Sequence, residues 1–178
     1  LSLQQPLSDG PEHDELLFIT IHQVYELWFA QMLHELAALQ PALEAGDTHR
    51  SLALLGRVRT IMKTCVAQID VLETMTPLQF QSFRSRLSSA SGFQSAQFRE
   101  LEAVLGRRDH AGEKAKEGTG MKMAEHLVPG SPARLKVEAA MSRRSVWDSA
   151  LAYCSVRGHQ MPEDVLSRDV SLGWEPRE

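Results

Sequence analysis

Between Leu16 and Leu36 the chain places Leu16, Leu17, Phe18, Ile19, Ile21, Val24, Leu27, Trp28, Phe29, Met32, Leu33 and Leu36 with neither Gly nor Pro among them. On a 3.6-residue period these side chains cover most of a helix's circumference instead of one stripe. A helix of that kind must be surrounded, either in the middle of a bundle or at a subunit interface. Its longest apolar stretch, Leu16 to Ile21, is interrupted by Thr20. That is far below the roughly 20 residues needed to cross a bilayer, so no membrane partner is expected. Pro11 suits a first helical turn, and Glu12, Asp14 and Glu15 suit the positive end of the helix dipole.

The remaining punctuation divides the chain into further helices. Pro41 and Gly46 break the first pattern, and a second helix is predicted from about Asp47 to Met75. Its apolar positions are Leu54, Leu55, Val58, Ile61, Met62, Cys65, Val66, Ile69 and Leu72. Thr76-Pro77 stops it and starts a short helix through Leu87. Ser88 to Gly92 reads as a loop, Ser95 to about Leu105 as a fourth helix ending at Gly106, and residues 107–130 as a loop region with a helical turn around Met121 to Leu127. Ser131-Pro132 opens another helix. Ser145 with Asp148 resembles a capping box for a helix ending near Gly158, and Pro162 begins one more turn. Period-2 alternation is nowhere convincing. The expectation is an all-α single domain over residues 1–178, with residues 1–11 as an extended arm.

Composition narrows the function. The chain has 178 residues, 43% hydrophobic and 24% charged, which is the profile of one soluble globular domain. Nineteen Lys+Arg against 23 Asp+Glu give a formal charge of -4, so no electrostatic footprint for nucleic acid or an anionic surface is present. Cys65 and Cys154 stand 89 positions apart without C-x-x-C spacing, which argues against a disulfide scaffold or thiolate zinc site and suits a reducing compartment. The opening Leu1-Ser2-Leu3 carries no Met, basic region or apolar core of a secretory leader, and cytoplasm is the expected location.

Few residues remain as candidates for chemistry. His22 falls inside the most apolar helix, four positions after Phe18 and four before Glu26, so the three share roughly one face. It reads either as a core histidine bonded to backbone or to Glu26, or as the polar hook of a ligand pocket walled by Phe18. Arg84 and Arg86 lie on the short helix with Phe80, Phe83 and Leu87. Arg84, one turn after Phe80, is placed for a bidentate grip on a carboxylate if it faces apolar surface, and is a solvated charge if it does not. No Glu has a His three positions later, which excludes the di-iron carboxylate pattern. His-Glu-x-x-His, G-x-S-x-G, G-x-G-x-x-G and the P-loop are also absent.

The segment His13-Asp14-Glu15-Leu16-Leu17-Phe18-Ile19-Thr20-Ile21-His22-Gln23-Val24-Tyr25-Glu26-Leu27-Trp28-Phe29 resembles the signature helix of the tryptophan 2,3-dioxygenases. A second block is similar to another stretch of that family: Leu72 to Leu78, Phe83-Arg84, Leu87, and Ser91-Gly92-Phe93-Gln94-Ser95-Ala96-Gln97-Phe98-Arg99. The resemblance is dense from about Gln5 to Gly106, looser from Gly112 to Pro132, and weak around Ser145 to Asp169. It implies a helical-bundle haem-dioxygenase fold, with distal substrate and haem-pocket helices over 12–106 and peripheral helices over 131–178. The implied reaction inserts both atoms of dioxygen across C2-C3 of the indole of L-tryptophan to give N-formylkynurenine, the first step of tryptophan catabolism through kynurenine. The implied cofactor is haem b with its iron, and the implied assembly is a cytoplasmic homotetramer.

By the same resemblance Phe18, Ile19, Thr20, Ile21 and His22 form the substrate-binding segment, with His22 also the catalytic position that accepts from the indole N-H. Phe80 is an aromatic pocket position and Arg84 binds the substrate carboxylate, while Leu87 and Ser91 lie near haem and substrate. The family's proximal haem histidine and its Gly-Thr-Gly-Gly stretch find no match: His110, His126 and His159 do not fit, and Gly118-Thr119-Gly120 continues into Met121. Ile69 stands where some relatives place a Trp against the haem. The chain is therefore read as lacking most of an N-terminal arm and the C-terminal helices. The alternatives are a haem-dependent hydroxylase of an indole or aromatic amino-acid derivative and a non-catalytic truncated family member.

Overall fold

The surrounded helix is the axis of the computed structural model, which describes residues 3–8, 10, 12–87, 95–108 and 124–172. Helix α1 (His13–Glu44) is followed by α2 (Thr48–Leu72), α3 (Pro77–Arg84) running into a 3₁₀ turn (Ser85–Leu87), α4 (Ala96–Leu105), α5 (Pro132–Ser142), α6 (Val146–Val156) and α7 (Glu163–Leu166). Among the described residues there is no strand, and the fold is all-α. Helices α2, α3, α4 and α6 all pack on α1, and α5 packs on α4. The core joins Met32, Leu36, Leu39 and Leu43 of α1 to Leu54, Val58 and Ile61 of α2, Leu101 and Val104 of α4, and Val137 of α5. Each such side chain contributes about 1.5–3 kcal/mol by leaving water. No helix among the described residues is long and apolar enough to cross a membrane.

Chain punctuation fixes the helix ends. Asp47, Thr76, Ser95, Ser131 and Ser145 each cap the helix that follows by accepting a backbone N-H, and Thr76/Gln79 and Ser145/Asp148 close reciprocal capping boxes. Gly46 turns the chain between α1 and α2 with φ +71°, and a Cβ there would stand 2.8 Å from Val156 Cγ1. Only glycine satisfies both the backbone and the space.

One expectation is corrected. Pro41 does not break α1, which continues to Glu44. Near a helix end the missing N-H of proline removes one bond, while Leu39, Ala42 and Leu43 are kept buried by continuing the turn. The apolar face of α2 is also wider than its partner: Leu54, Val58 and Ile61 are buried, whereas Leu55, Met62, Val66 and Ile69 remain exposed. The predicted second and first helices otherwise end within a turn of the observed ones. Of the turn expected around Met121 to Leu127, residues 124–127 are described, and Ala124 to His126 form a turn.

Buried charges fasten the helices. Glu35, on the inner face of α1, accepts from Arg57 Nη1 of α2 at 2.7 Å and from Gln31 Nε2 at 2.6 Å. Asp148 accepts from Ser145 and, at 2.6 and 3.1 Å, from Arg168. The buried Arg108 donates to the carbonyls of Ala103, Arg107, Arg143 and Val170 at 2.6–2.9 Å, which ties the end of α4 to the segment after α5 and to the chain beyond α7.

Candidate functional site

An aromatic cluster forms where α3 crosses the start of α1. Phe18 lies 5.5 Å from Phe80 and 5.7 Å from Phe83 between ring centroids, and Phe80 meets Phe83 edge-on at 5.5 Å. Thr76 and Pro77 start α3 so that Phe80, Phe83 and Arg84 fall within successive turns of one short helix. Phe83 is fully buried and forms the floor, Leu87 of the 3₁₀ turn is buried beyond it, and Phe18 and Phe80 are half-buried. An aromatic wall results, with Phe83 beneath and Phe18 and Phe80 partly open to solvent.

Polar groups stand at two edges of that wall. His22 packs on Phe18, with ring centroids 4.1 Å apart, and its Nδ1 lies 2.8 Å from the Phe18 carbonyl oxygen. A carbonyl only accepts, so Nδ1 carries the proton of this bond. In the neutral ring the Nε2 lone pair is then left to accept from a ligand N-H. At the other edge the Arg84 guanidinium carbon lies 5.9 Å from the Phe80 ring centroid. The pair of edges presents one acceptor and one cation across an aromatic surface.

The sequence-derived positions divide as follows. Phe18, His22, Phe80 and Arg84 come together at the wall. Ile21 is turned into the core and Leu87 is buried, Ile19 is half-buried on the flank of α1, and Thr20 is exposed. Ser91 lies outside the described residues, as do His110 and Gly118-Thr119-Gly120. The expectation of a core histidine is corrected, because His22 is exposed. Glu26 does not bond it and instead accepts from Gln97 Nε2 of α4 at 2.6 Å. Ile21 beside it is buried, whereas His22 lies on the exposed side of α1 where Phe18 meets Phe80 and Phe83 of α3.

Residue Glu15 was grouped above with the acidic first turn, yet it is wholly buried. Its carboxylate accepts from the backbone amides of Leu7 at 2.6 Å and Ser8 at 3.2 Å, and from the Ser8 hydroxyl. Burial pushes its carboxyl up, but the bonds from Ser8 and Leu7 and the nearby charge of Arg86 outweigh it and hold the group below the ordinary 4.5. An acidic residue at a helix start is ordinary, so the sequence carries no signal of this partnership.

Among the described residues no three His, Cys, Asp or Glu side chains gather as a metal site. Axial ligation of a haem iron needs an imidazole facing an apolar cavity. His13, His34, His49, His126 and His159 are exposed, and His22, also exposed, donates through Nδ1 to Phe18 and keeps its Nε2 lone pair. The described residues supply an apolar wall for such a group, and every histidine among them is exposed.

The helical bundle carries an aromatic cluster with an imidazole at one edge and a guanidinium at the other. Residues 1–127 match the family model described as tryptophan 2,3-dioxygenase. The chain is 51% identical over 176 residues to a tryptophan 2,3-dioxygenase of Anaeromyxobacter sp. (strain K), covering 99% of this chain and 61% of that protein. It is 50% identical to one of Herpetosiphon aurantiacus over 96% of this chain and 61% of that protein. With one of Caulobacter vibrioides the identity is 40%, over 99% and 62%. The chain belongs to the tryptophan 2,3-dioxygenase family. It spans about three-fifths of the length of the curated relatives it matches.

Proposed function

We propose that this chain carries the substrate-orienting part of a haem-dependent tryptophan 2,3-dioxygenase, which adds both atoms of dioxygen across indole C2-C3 of L-tryptophan to give N-formylkynurenine. The observation that carries the reading is the Nδ1 bond from His22 to the Phe18 carbonyl, which leaves Nε2 as an acceptor on a ring packed against the aromatic wall. Tryptophan has the matching polarity: a flat apolar ring with one N-H donor at one end and a carboxylate at the other.

In this reading Phe18 and Phe80 sandwich or edge the indole, and His22 Nε2 accepts its N-H, which fixes the ring's rotation. Arg84 pairs with the carboxylate, the guanidinium fork matching its two oxygens. His22 acts mainly by orientation, since no proton must leave the indole nitrogen for both oxygens to be inserted. Haem b, when bound, brings dioxygen to the ring. Its iron ligand is proposed to come from outside the described residues, and Leu87 and Ser91 are proposed to lie beside it. The same reading carries a cytoplasmic homotetramer.

Turnover of L-tryptophan by the haem-supplemented protein, compared with tryptamine and indole-3-propionate, tests the assignment. Tryptophan converted at least tenfold better than tryptamine, which lacks the carboxylate, is the expected result. Equal use of the two, or no product from tryptophan, contradicts it.

A further inference from the structure

The segment that precedes α1 is fastened in an unusual way. Its leucines point outward, Leu3 and Leu7 both being strongly exposed, while Gln4 and Ser8 are turned inward. Apolar burial therefore does not hold it. Polar bonds fasten it to α1 at Gln23 and at Glu15. Gln4 Nε2 donates to Gln23 Oε1 and Gln23 Nε2 donates to the Leu3 carbonyl at 3.1 Å, while eight residues earlier on α1 the Glu15 carboxylate takes the Leu7 and Ser8 amides and the Ser8 hydroxyl. Gln23 and Glu15 are separated by about 12 Å along the helix. Residues 3–8 bridge them as a strap running antiparallel to α1.

The strap lies beside the candidate site. Phe18 and Ile19 follow Glu15 by three and four positions and His22 by seven, so Glu15 shares the helix face that carries the aromatic wall, with Ile19 between the two fastenings. Arg86, two residues past Arg84, places its charge near the same carboxylate. The strap, α1 and the 3₁₀ turn thus meet at one fully buried anion, and a buried carboxylate stripped of its donors is costly.

We propose that Glu15 is a positioning residue for the aromatic pocket: it clamps the strap of residues 3–8 along the flank of α1 beside Phe18, Ile19 and His22, and so closes that side of the pocket around the substrate ring. The inference rests on the tryptophan-binding reading above, while the clamp itself does not. Glu15→Gln replaces one accepting oxygen by an NH₂ that opposes the Ser8 amide. Ser8→Ala removes a single donor and leaves α1 untouched.

Hydrogen exchange and steady-state kinetics on the haem-supplemented protein read the two parts separately. Glu15→Gln is expected to speed exchange of the Leu7 and Ser8 amides at least tenfold while residues 28–40 of α1 keep their protection. It is also expected to raise KM for L-tryptophan five- to twentyfold, with kcat within twofold. Ser8→Ala should shift both in the same direction by less, and it carries the test if Glu15→Gln does not fold. Unchanged exchange at residues 7 and 8 overturns the clamp. Faster exchange with an unchanged KM overturns its role in the pocket. If the unsubstituted protein neither binds nor converts tryptophan, the proposed function and the pocket role fall together, and exchange still decides the clamp.

Discussion

The ring centroid of His22 lies 4.1 Å from that of Phe18 and its Nδ1 donates to the Phe18 carbonyl, so one helical turn both packs the imidazole and sets its tautomer. Because the bond goes to backbone, it survives any change at the Phe18 side chain. Nε2 is the group this imidazole offers to a ligand N-H. A neutral hydrogen bond of this kind is worth about 0.5–1.5 kcal/mol. His22→Ala should therefore raise KM for tryptophan about two- to tenfold. It should also shrink the preference for tryptophan over 1-methyltryptophan, which has no N-H. Kinetics with both substrates on both proteins check this, and an unchanged preference counts against the role.

Arg84 is exposed and lies over Phe80. In the proposed complex it meets a carboxylate at the edge of an apolar wall, where a charged pair is only partly screened. Arg84→Ala should raise KM by about tenfold or more, and Arg84→Lys should recover only part of the loss, because an ammonium cannot form the two parallel bonds of the fork. Steady-state kinetics on the two variants make the measurement.

Gly46 joins the two helices that build most of the core, with φ +71° and Val156 2.8 Å from where a Cβ would stand. Gly46→Ala should destabilise the protein by about 1–3 kcal/mol. Val156→Ala in the same background should return the steric part and leave the backbone part. Urea midpoints of the single and double variants separate the two.

Acid stability should depend on the buried carboxylates. Arg57's hydrogen bond is the main cause that holds Glu35 below its ordinary 4.5, and Ser145 and Arg168 outweigh burial to hold Asp148 below 3.8. With folded values depressed, the unfolded chain takes up protons first. Their stabilisation is fully present above about pH 5 and is lost as pH falls through the folded values. Urea midpoints should therefore fall between pH 6 and pH 3. Glu35→Gln should lower the midpoint at pH 6 and flatten that slope, and an unaltered slope contradicts the assignment.

Much of the fold is written in single residues. Thr76, Ser95, Ser131 and Ser145 announce helix starts because a short side-chain oxygen has one strong use there, and Gly46 announces a turn. The cluster of Phe18, His22, Phe80 and Arg84 was legible through helical spacing together with family resemblance. Other features were not legible. Pro41 looks like a breaker until the buried leucines around it are known, and His22 looks buried because its neighbours in sequence are apolar. Glu15 looks like a dipole-favoured surface acid. In each case the deciding fact is which side of α1 another element covers, and that is a long-range property. The breadth of the apolar face on α2 likewise hides which half is packed.

The most direct test of the central claim is the mass of the product formed from L-tryptophan under ¹⁸O₂ by the haem-supplemented protein. The account predicts N-formylkynurenine carrying two ¹⁸O atoms, with its yield at low substrate reduced in His22→Ala and Arg84→Ala. A product with a single labelled oxygen, or conversion indifferent to both substitutions, would contradict it.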